Sequence, residues 1–520
     1  MDKPTRRNLL QSVSAAAGTA AVYRTMEALD MLGPGTAQAA ALDLTRGSGK
    51  GGKVIILGAG ISGLAAAWEM SKAGWNCNVL EATERPGGRN LTARTGDILT
   101  EQGMRQRVCF DQEDHLYANL GPARIPYHHR TVLGYCKEFG IDLEVFTNDN
   151  RAAFFHNRER FGGKAVAARR VLTDMRGYVA ELLAKAVDRG TLDAELTSDD
   201  KERLRDMLKS FGALKDDYSY TGSNRAGYRG TPIHAGMAAG ETEKKLDFGE
   251  LLGADFWQYK LDFSHFLNQN PTLFQPVGGM DAIVGGFTDR VGRFVQYGCV
   301  VEQLRRQGDG VRVVYRGLDG ERRTAQADYA ICTIPAPVLK NIPNDFLPET
   351  RAALESLNFV EAVKIAFQAK RRFWEEDSAI YGGISWTDSD ITQLWYPCNG
   401  YHRTKGVVIG AYIWSRDPGR RFSAMGASER LQAALAEGEP LHPGYSSEME
   451  CGISRAWLNV PFQKGGWPRS NPDAAAALRR NDGPYYFAGD QVTALPGWQE
   501  GAMLAARAAA EAIHLRFTAR

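Results

Sequence analysis

The 520-residue chain lacks the features that would place it in several common classes. Its seven cysteines, Cys77, Cys109, Cys136, Cys299, Cys332, Cys398 and Cys451, form no CxxC pair and no His/Cys cluster at metal-ligand spacing. No metal site is therefore expected, and the thiols read as mostly buried. Long runs of one charge sign are also missing: 63 basic and 61 acidic residues leave a formal charge of +2. That balance argues against nucleic acid or another polyanion as partner. No uninterrupted apolar stretch reaches the roughly 18 residues that a membrane-spanning helix needs, and no membrane partner is expected. What is left is a small-molecule protein, whose length at about 150 residues per domain suggests roughly two to four domains and room for a large cofactor.

The first 40 residues differ from the rest. "TRRNLLQ" (Thr5 to Gln11), the small-residue run "SVSAAAGTAA" and "TAQAA" at 36–40 resemble a twin-arginine export signal with an A-x-A-like cleavage site. Such a route carries folded, cofactor-loaded proteins to the periplasm or beyond. Arg24, Glu27 and Asp30 interrupt the apolar stretch, so "VYRTMEALDML" equally fits an amphipathic helix kept in the mature protein. "LTRGSGKGG" (44–52) reads as a linker, giving a signal at 1–40 and a linker at 41–51.

"KVIILGAGISGLAAAWEMSKAG" is a β-branched run followed by Gly58, Gly60 and Gly63 at G-x-G-x-x-G spacing and an alanine-rich helix. The glycines allow a tight turn, a close approach of backbone to a pyrophosphate, and contact between helix and strand; the helix N-terminus adds free N–H groups. A second strand, "NCNVLEA", ends in Glu81 about 20 residues on, where a carboxylate meets ribose hydroxyls. "ERPGGRN" follows, with Gly87 and Gly88 keeping the chain thin and Arg89 placed to reach a phosphate.

Taken with the C-terminal "YYFAGDQVTALPGWQEGAMLAARAAAEAI", these segments resemble the flavin-containing amine oxidase family, which binds FAD. The resemblance runs from about residue 52 to the end, and "PVGGMDAIV" (276–284), "VEQL" (301–304) and "RAWLNVPFQKGGW" (455–467) also match. It implies an α/β fold in which a Rossmann-type, glutathione-reductase-like FAD-binding domain (52–106, 276–358, 453–515) is interleaved with a mixed-sheet substrate domain (107–163, 266–275, 359–452). A helical domain at 164–265 would roof the substrate funnel or form the contact of a homodimer. For the cofactor, the resemblance implies contacts from Gly58, Gly60, Ser62, Gly63, Glu81 and Ala82 in the first turn and strand end, and from Gly88 and Arg89 in the second turn. Gly103, Met104, Arg105, Val301, Trp457 and Trp467 follow in the middle of the chain, and Gly489, Asp490, Trp498 and Gln499 in the tail. "ALPGWQEG" has no cysteine where the family's covalent flavoproteins carry one, so FAD is expected to be noncovalent.

Lys364 stands among apolar neighbours in "EAVKIAFQAKRRFWEE"; at this place the family uses a lysine that holds water against flavin N5 and assists reoxidation by O₂. Gly497 and Trp498 match the segment forming one wall of an aromatic cage around the amine. Arg124 lies in "GPARIP", a loop stiffened by two prolines. Read alone, it fits either a salt bridge to an Asp or Glu or a ligand's anion. "NLGPARIPYHHRTVLGYCKEFGI" follows the bacterial L-amino-acid oxidase branch, whose "GPxRxP" arginine grips the substrate α-carboxylate through two parallel bonds, with Tyr412 assisting. The implied reaction converts an L-amino acid, O₂ and water into a 2-oxo acid, ammonia and H₂O₂. Rival readings are a decarboxylating, amide-forming amino-acid 2-monooxygenase, a monoamine or polyamine oxidase, and a noncatalytic dinucleotide-binding scaffold, which would have no use for Lys364 or Trp498. Trp386, Trp395, Trp414 and Trp498 suggest an apolar or aromatic side-chain preference within a broad range.

Overall fold

Val54 to Leu57 are all buried, which is what a strand covered on both faces requires. That strand, Lys53–Leu57, is central in a wholly parallel five-stranded sheet of order Val295–Gln296, Asn76–Leu80, Lys53–Leu57, Tyr329–Cys332, Tyr485–Phe487. Helix Ile61–Lys72 returns over it, and its buried Ala65, Ala66 and Ala67 allow close packing with the C-terminal helix Gln499–Thr518 and with helix Ala282–Val291. An antiparallel meander, Val300–Gln307, Gly310–Arg316 and Arg322–Ala327, completes this half. The computed structural model describes residue 44 and residues 47–230 and 236–519; the export signal expected at residues 1–40 lies outside the described residues.

The linker reading of 44–52 needs correction from residue 47 on. Gly49 N donates to Ala73 O at 2.9 Å and Asn76 N to Gly52 O at 2.9 Å, forming a turn against Trp75. A Cβ on Gly49 would stand 2.2 Å from the indole, so the glycine there serves close approach.

The second half is a seven-stranded sheet, Val166–Ala167, Phe154–His156, Ile384–Thr387, Gln393–Trp395, Gly406–Ile413, Val363–Ala369, Met449–Ala456, mostly antiparallel with one parallel pair. Met449–Ala456 is one continuous strand of it, so the chain leaves this sheet after Ala456 and a domain boundary at 453 would cut a hydrogen-bonded ladder. A short three-stranded sheet, Ile125–Pro126, Leu273–Pro276, Leu143–Phe146, fixes the segment that carries Arg124. Helices Ala168–Asp188 and Ser198–Gly212 pack together in the insertion, the second opened by a capping box between Thr197 and Asp200.

Two cysteines are not thiols. Cys109 and Cys451 are disulfide-bonded across 342 residues, with Cα atoms 5.9 Å apart, joining the chain after strand Met104–Arg107 to the outer strand of the large sheet. The other five are free and buried, and burial pushes Cys77 and Cys136 up to about 12 and Cys398 to about 11.

Candidate active site

Two cavities meet between the sheets. The first, of about 410 Å³, follows the C-terminal ends of the parallel strands, where such sheets bind ligands. Gly58, with φ 104°, turns the chain out of its strand, and Gly60 opens the helix with nothing within 4 Å of where a Cβ would stand. Gly63 packs so tightly that a Cβ would come 1.9 Å from Gly58 O. Gly88, at φ 56°, lies on the first turn, its Cβ position 3.2 Å from Gly60 Cα. The paired glycines of "PGG" are thus explained by one loop lying on another.

Glu81 stands at this cavity with a buried carboxylate that accepts from Ala59 N at 2.7 Å and from Thr83 N at 2.9 Å. The Thr83 hydroxyl also donates to it at 2.7 Å, which leaves one of the four lone-pair sites of the carboxylate for a sugar hydroxyl. Ser62 Oγ and Asn90 Oδ1 are buried at the cavity and have no hydrogen-bond partner. A glycine cradle, a helix N-terminus and buried polar atoms in search of partners fit a pyrophosphate-containing cofactor with sugar and ribityl hydroxyls, which is the chemistry of FAD. Ala82, Val301, Trp457, Trp467, Gly489, Asp490, Gly497, Trp498 and Gln499 also line it.

Three expectations need revision here, while Arg89 keeps its place at the cavity and gains a partner. Arg89 lines the cavity but does not stand alone: its guanidinium meets Asp490 Oδ1 at 2.5 Å and Gly466 O at 2.9 Å. Asp490 in turn accepts from Gly497 N at 3.1 Å, so this ion pair braces the tail loop. Gly103, Met104 and Arg105 do not line the cavity; they form the turn and outer strand of a hairpin with Ile98–Glu101, where Gly103 and Arg105 are exposed. The hairpin instead supplies Glu101, buried against Arg430 at 2.8 Å.

The second cavity, of about 480 Å³, shares Lys364, Tyr412, Trp467, Gly497, Trp498 and Gln499 with the first. Lys364 and Tyr412 are direct cross-strand partners, which puts them on one face of the large sheet. Lys364 is buried, and its Nζ donates to Asn119 O at 3.0 Å and Gly121 O at 2.6 Å. The rings of Tyr412 and Trp395 lie 4.7 and 4.9 Å from it. Burial first, and then the nearby Arg124 guanidinium, hold the Lys364 ammonium well below the usual lysine range. Those two carbonyls thus take two of its N–H bonds.

Arg124 lines the same cavity inside a ring of aromatics: Trp395 at 4.8 Å, Phe263 at 5.4 Å, and Phe146 and Trp498 at 5.9 Å. Flat aromatic faces orient a guanidinium and hold it in place. Trp395, Trp414 and Trp498 reach the cavity; Trp386 does not, being packed edge-on to Phe263 at 5.0 Å. Its strand pairs with Phe154–His156, one strand further from Lys364.

Sequence reading missed several residues. His129, edge-on to Trp498 at 5.0 Å, lines the substrate cavity, and burial pushes its imidazole down to about 4. Its Nε2 and that of His128 lie 3.1 and 3.0 Å from Asn268 Oδ1. The pair "HH", four and five residues after Arg124, was the available signal. Glu500, just past Trp498, accepts from Thr131 N at 3.0 Å and Val132 N at 2.9 Å. It caps helix Arg130–Phe139 and ties the Arg124 segment to the C-terminal helix. Asn90 Nδ2 donates to Gln499 Oε1 at 2.9 Å, linking the second glycine turn to the same helix. No short motif announces these contacts between distant segments.

The chain is similar to known proteins along most of its length. The family described as flavin containing amine oxidoreductase matches residues 61–514. The flavin-dependent L-tryptophan oxidase RebO of Lentzea aerocolonigenes is 28% identical, over 89% of this chain and 98% of its own. The L-amino-acid oxidase of Gloydius halys is 27% identical over 86% of this chain and 85% of its own. Among solved structures, cyclohexylamine oxidase from Brevibacterium oxydans IH-35A shares the fold with a TM-score of 0.59 at 19% identity, covering 89% of this chain and 99% of that one. Putrescine oxidase bound to putrescine also has a TM-score of 0.59, at 18% identity, with the same coverage of both chains.

Proposed function

The chain belongs to the flavin containing amine oxidoreductases, and from that premise we propose that it oxidises L-amino acids to 2-oxo acids, releasing ammonia and hydrogen peroxide. One observation carries the choice of substrate: the cavity beside the cofactor site is lined by Arg124 and by no Asp or Glu among the described residues. A diamine or polyamine brings a distal ammonium that needs a carboxylate, whereas an amino acid brings a carboxylate that needs a guanidinium.

Bound FAD supplies the acceptor for the hydride lost from the substrate carbon. The chain's own residues do the rest. Arg124 holds the α-carboxylate, each charge-assisted bond contributing about 1.5–3 kcal/mol, and the Tyr412 hydroxyl shares that load. Trp498 walls the space between the two cavities, where the carbon must stand about 3–3.5 Å from its acceptor. Lys364, whose charged form is disfavoured by burial and by Arg124, handles a proton at the junction of the cavities. Export to an oxidising compartment is part of this reading, and the Cys109–Cys451 disulfide supports it.

The test is peroxide release from the FAD-loaded protein with each of the twenty L-amino acids, their D-forms and putrescine. Peroxide from several L-amino acids alone is expected; peroxide from putrescine with none from any L-amino acid would refute the assignment.

A further inference from the structure

The substrate cavity holds a second guanidinium for which deamination has no use. Arg469 lines it beside Pro468 and Ser470. Its Nη2 donates to Glu361 Oε2 at 2.6 Å, and the other oxygen of Glu361 accepts from Arg420 Nε at 3.1 Å. Two guanidiniums on one carboxylate leave this group with a net positive charge. Arg469 Nε is buried and has no hydrogen-bond partner, and a buried guanidinium N–H without an acceptor is unfavourable enough to call for one. Glu361 already meets one edge of Arg469 from outside the cavity, and the cavity itself has no Asp or Glu among its described lining residues to meet the rest.

Resting on the deamination reading above, we propose that Arg469 is a side-chain subsite, and that the enzyme prefers L-amino acids whose side chain ends in a carboxylate or carboxamide. Arg124 takes the α-carboxylate and Arg469 the distal oxygen, while the methylene stem packs on the rings of Trp395 and Trp414. A side chain ending in an ammonium or guanidinium meets like charge at the same place and finds no counter-ion. The aromatic rings therefore serve the clamp and the stem, and the polar end of the substrate sets the preference.

Steady-state kinetics of the holoenzyme with L-glutamate, L-glutamine, L-methionine and L-lysine test this. For the unaltered enzyme, kcat/KM for glutamate and glutamine should exceed that for lysine by about 100-fold or more. Arg469→Leu should lower the glutamate-to-methionine ratio of kcat/KM by about 10- to 100-fold, chiefly through KM, and Arg469→Lys should restore part of it. A ratio that stays within about threefold in Arg469→Leu overturns the subsite. Glutarate, a dicarboxylate without an amine, gives an independent readout: its Kd, followed by the flavin absorbance, should rise about tenfold or more in Arg469→Leu. If no L-amino acid is oxidised yet glutarate binding depends on Arg469, the deamination reading fails and the subsite stands. If amino acids are oxidised and neither glutamate nor glutarate senses Arg469, the subsite alone fails.

Discussion

The cofactor cavity presents glycine backbone at Gly58, Gly60, Gly87, Gly88 and Gly489, whereas the substrate cavity presents polar side chains at Arg124, His129, Lys364, Gln393, Tyr412 and Arg469. The first suits a ligand whose phosphates and hydroxyls are met by N–H groups and helix ends, in a geometry that the chain path alone determines. The second suits a small ligand recognised by charge, where a guanidinium and a depressed lysine must stand close without a carboxylate between them. Damage to backbone geometry should thus abolish cofactor and activity together, and damage to side chains should separate them.

Gly63→Ala is expected to have the largest effect, because its Cβ would stand 1.9 Å from Gly58 O in the tightest part of the cradle. Flavin content measured by absorbance should drop to near zero, with activity falling in step; normal flavin content would show that the cradle yields. Arg124→Met comes next and should divide the two regions, leaving flavin bound while kcat/KM falls about 10²- to 10⁴-fold, the value of two charge-assisted bonds. Stoichiometric flavin with undiminished turnover would remove Arg124 from the site.

Lys364→Met should slow flavin reoxidation by about 10²-fold, the scale of a positioned proton-transfer group. The unaltered enzyme should lose activity as pH falls through the lowered pKa of Lys364, since the lone pair exists only above it, and the variant's profile should lack that acid limb. The smallest effect concerns stability. Burial pushes the imidazoles of His129 and His442 down to about 4, below the roughly 6.5 of an unfolded histidine. The unfolded chain then binds protons first, so Tm should be level above about pH 6.5 and decline as pH falls towards 4. His442→Gln should flatten that decline, as measured by thermal melts at stepped pH.

The same contrast explains what could be read in advance. Gly58, Gly60, Gly63 and Glu81 were legible because a strand, turn, helix and second strand are short-range neighbours whose spacing carries their geometry. Lys364 and Tyr412 stood out through likeness to relatives, since nothing local says that residues 48 positions apart pair across two strands. Arg89 was legible as a residue of the site, but its partner Asp490, 401 residues away, was not. Gly103, Met104 and Arg105 show the reverse error: a hairpin next in sequence to the cradle turned outward to serve the large sheet.

The amino-acid order by itself determined the dinucleotide-type cradle, the buried parallel strands and the stiff loop around Arg124, because each depends on torsions and hydropathy within a few residues. Tertiary structure alone decided the lowered basicity of Lys364, the aromatic setting of Arg124, the orphaned N–H of Arg469 and the bonding of Cys109 to Cys451. Desolvation, Coulomb interaction and covalent reach depend on distances through space, and segments hundreds of residues apart acquire those distances only when the sheets close on one another.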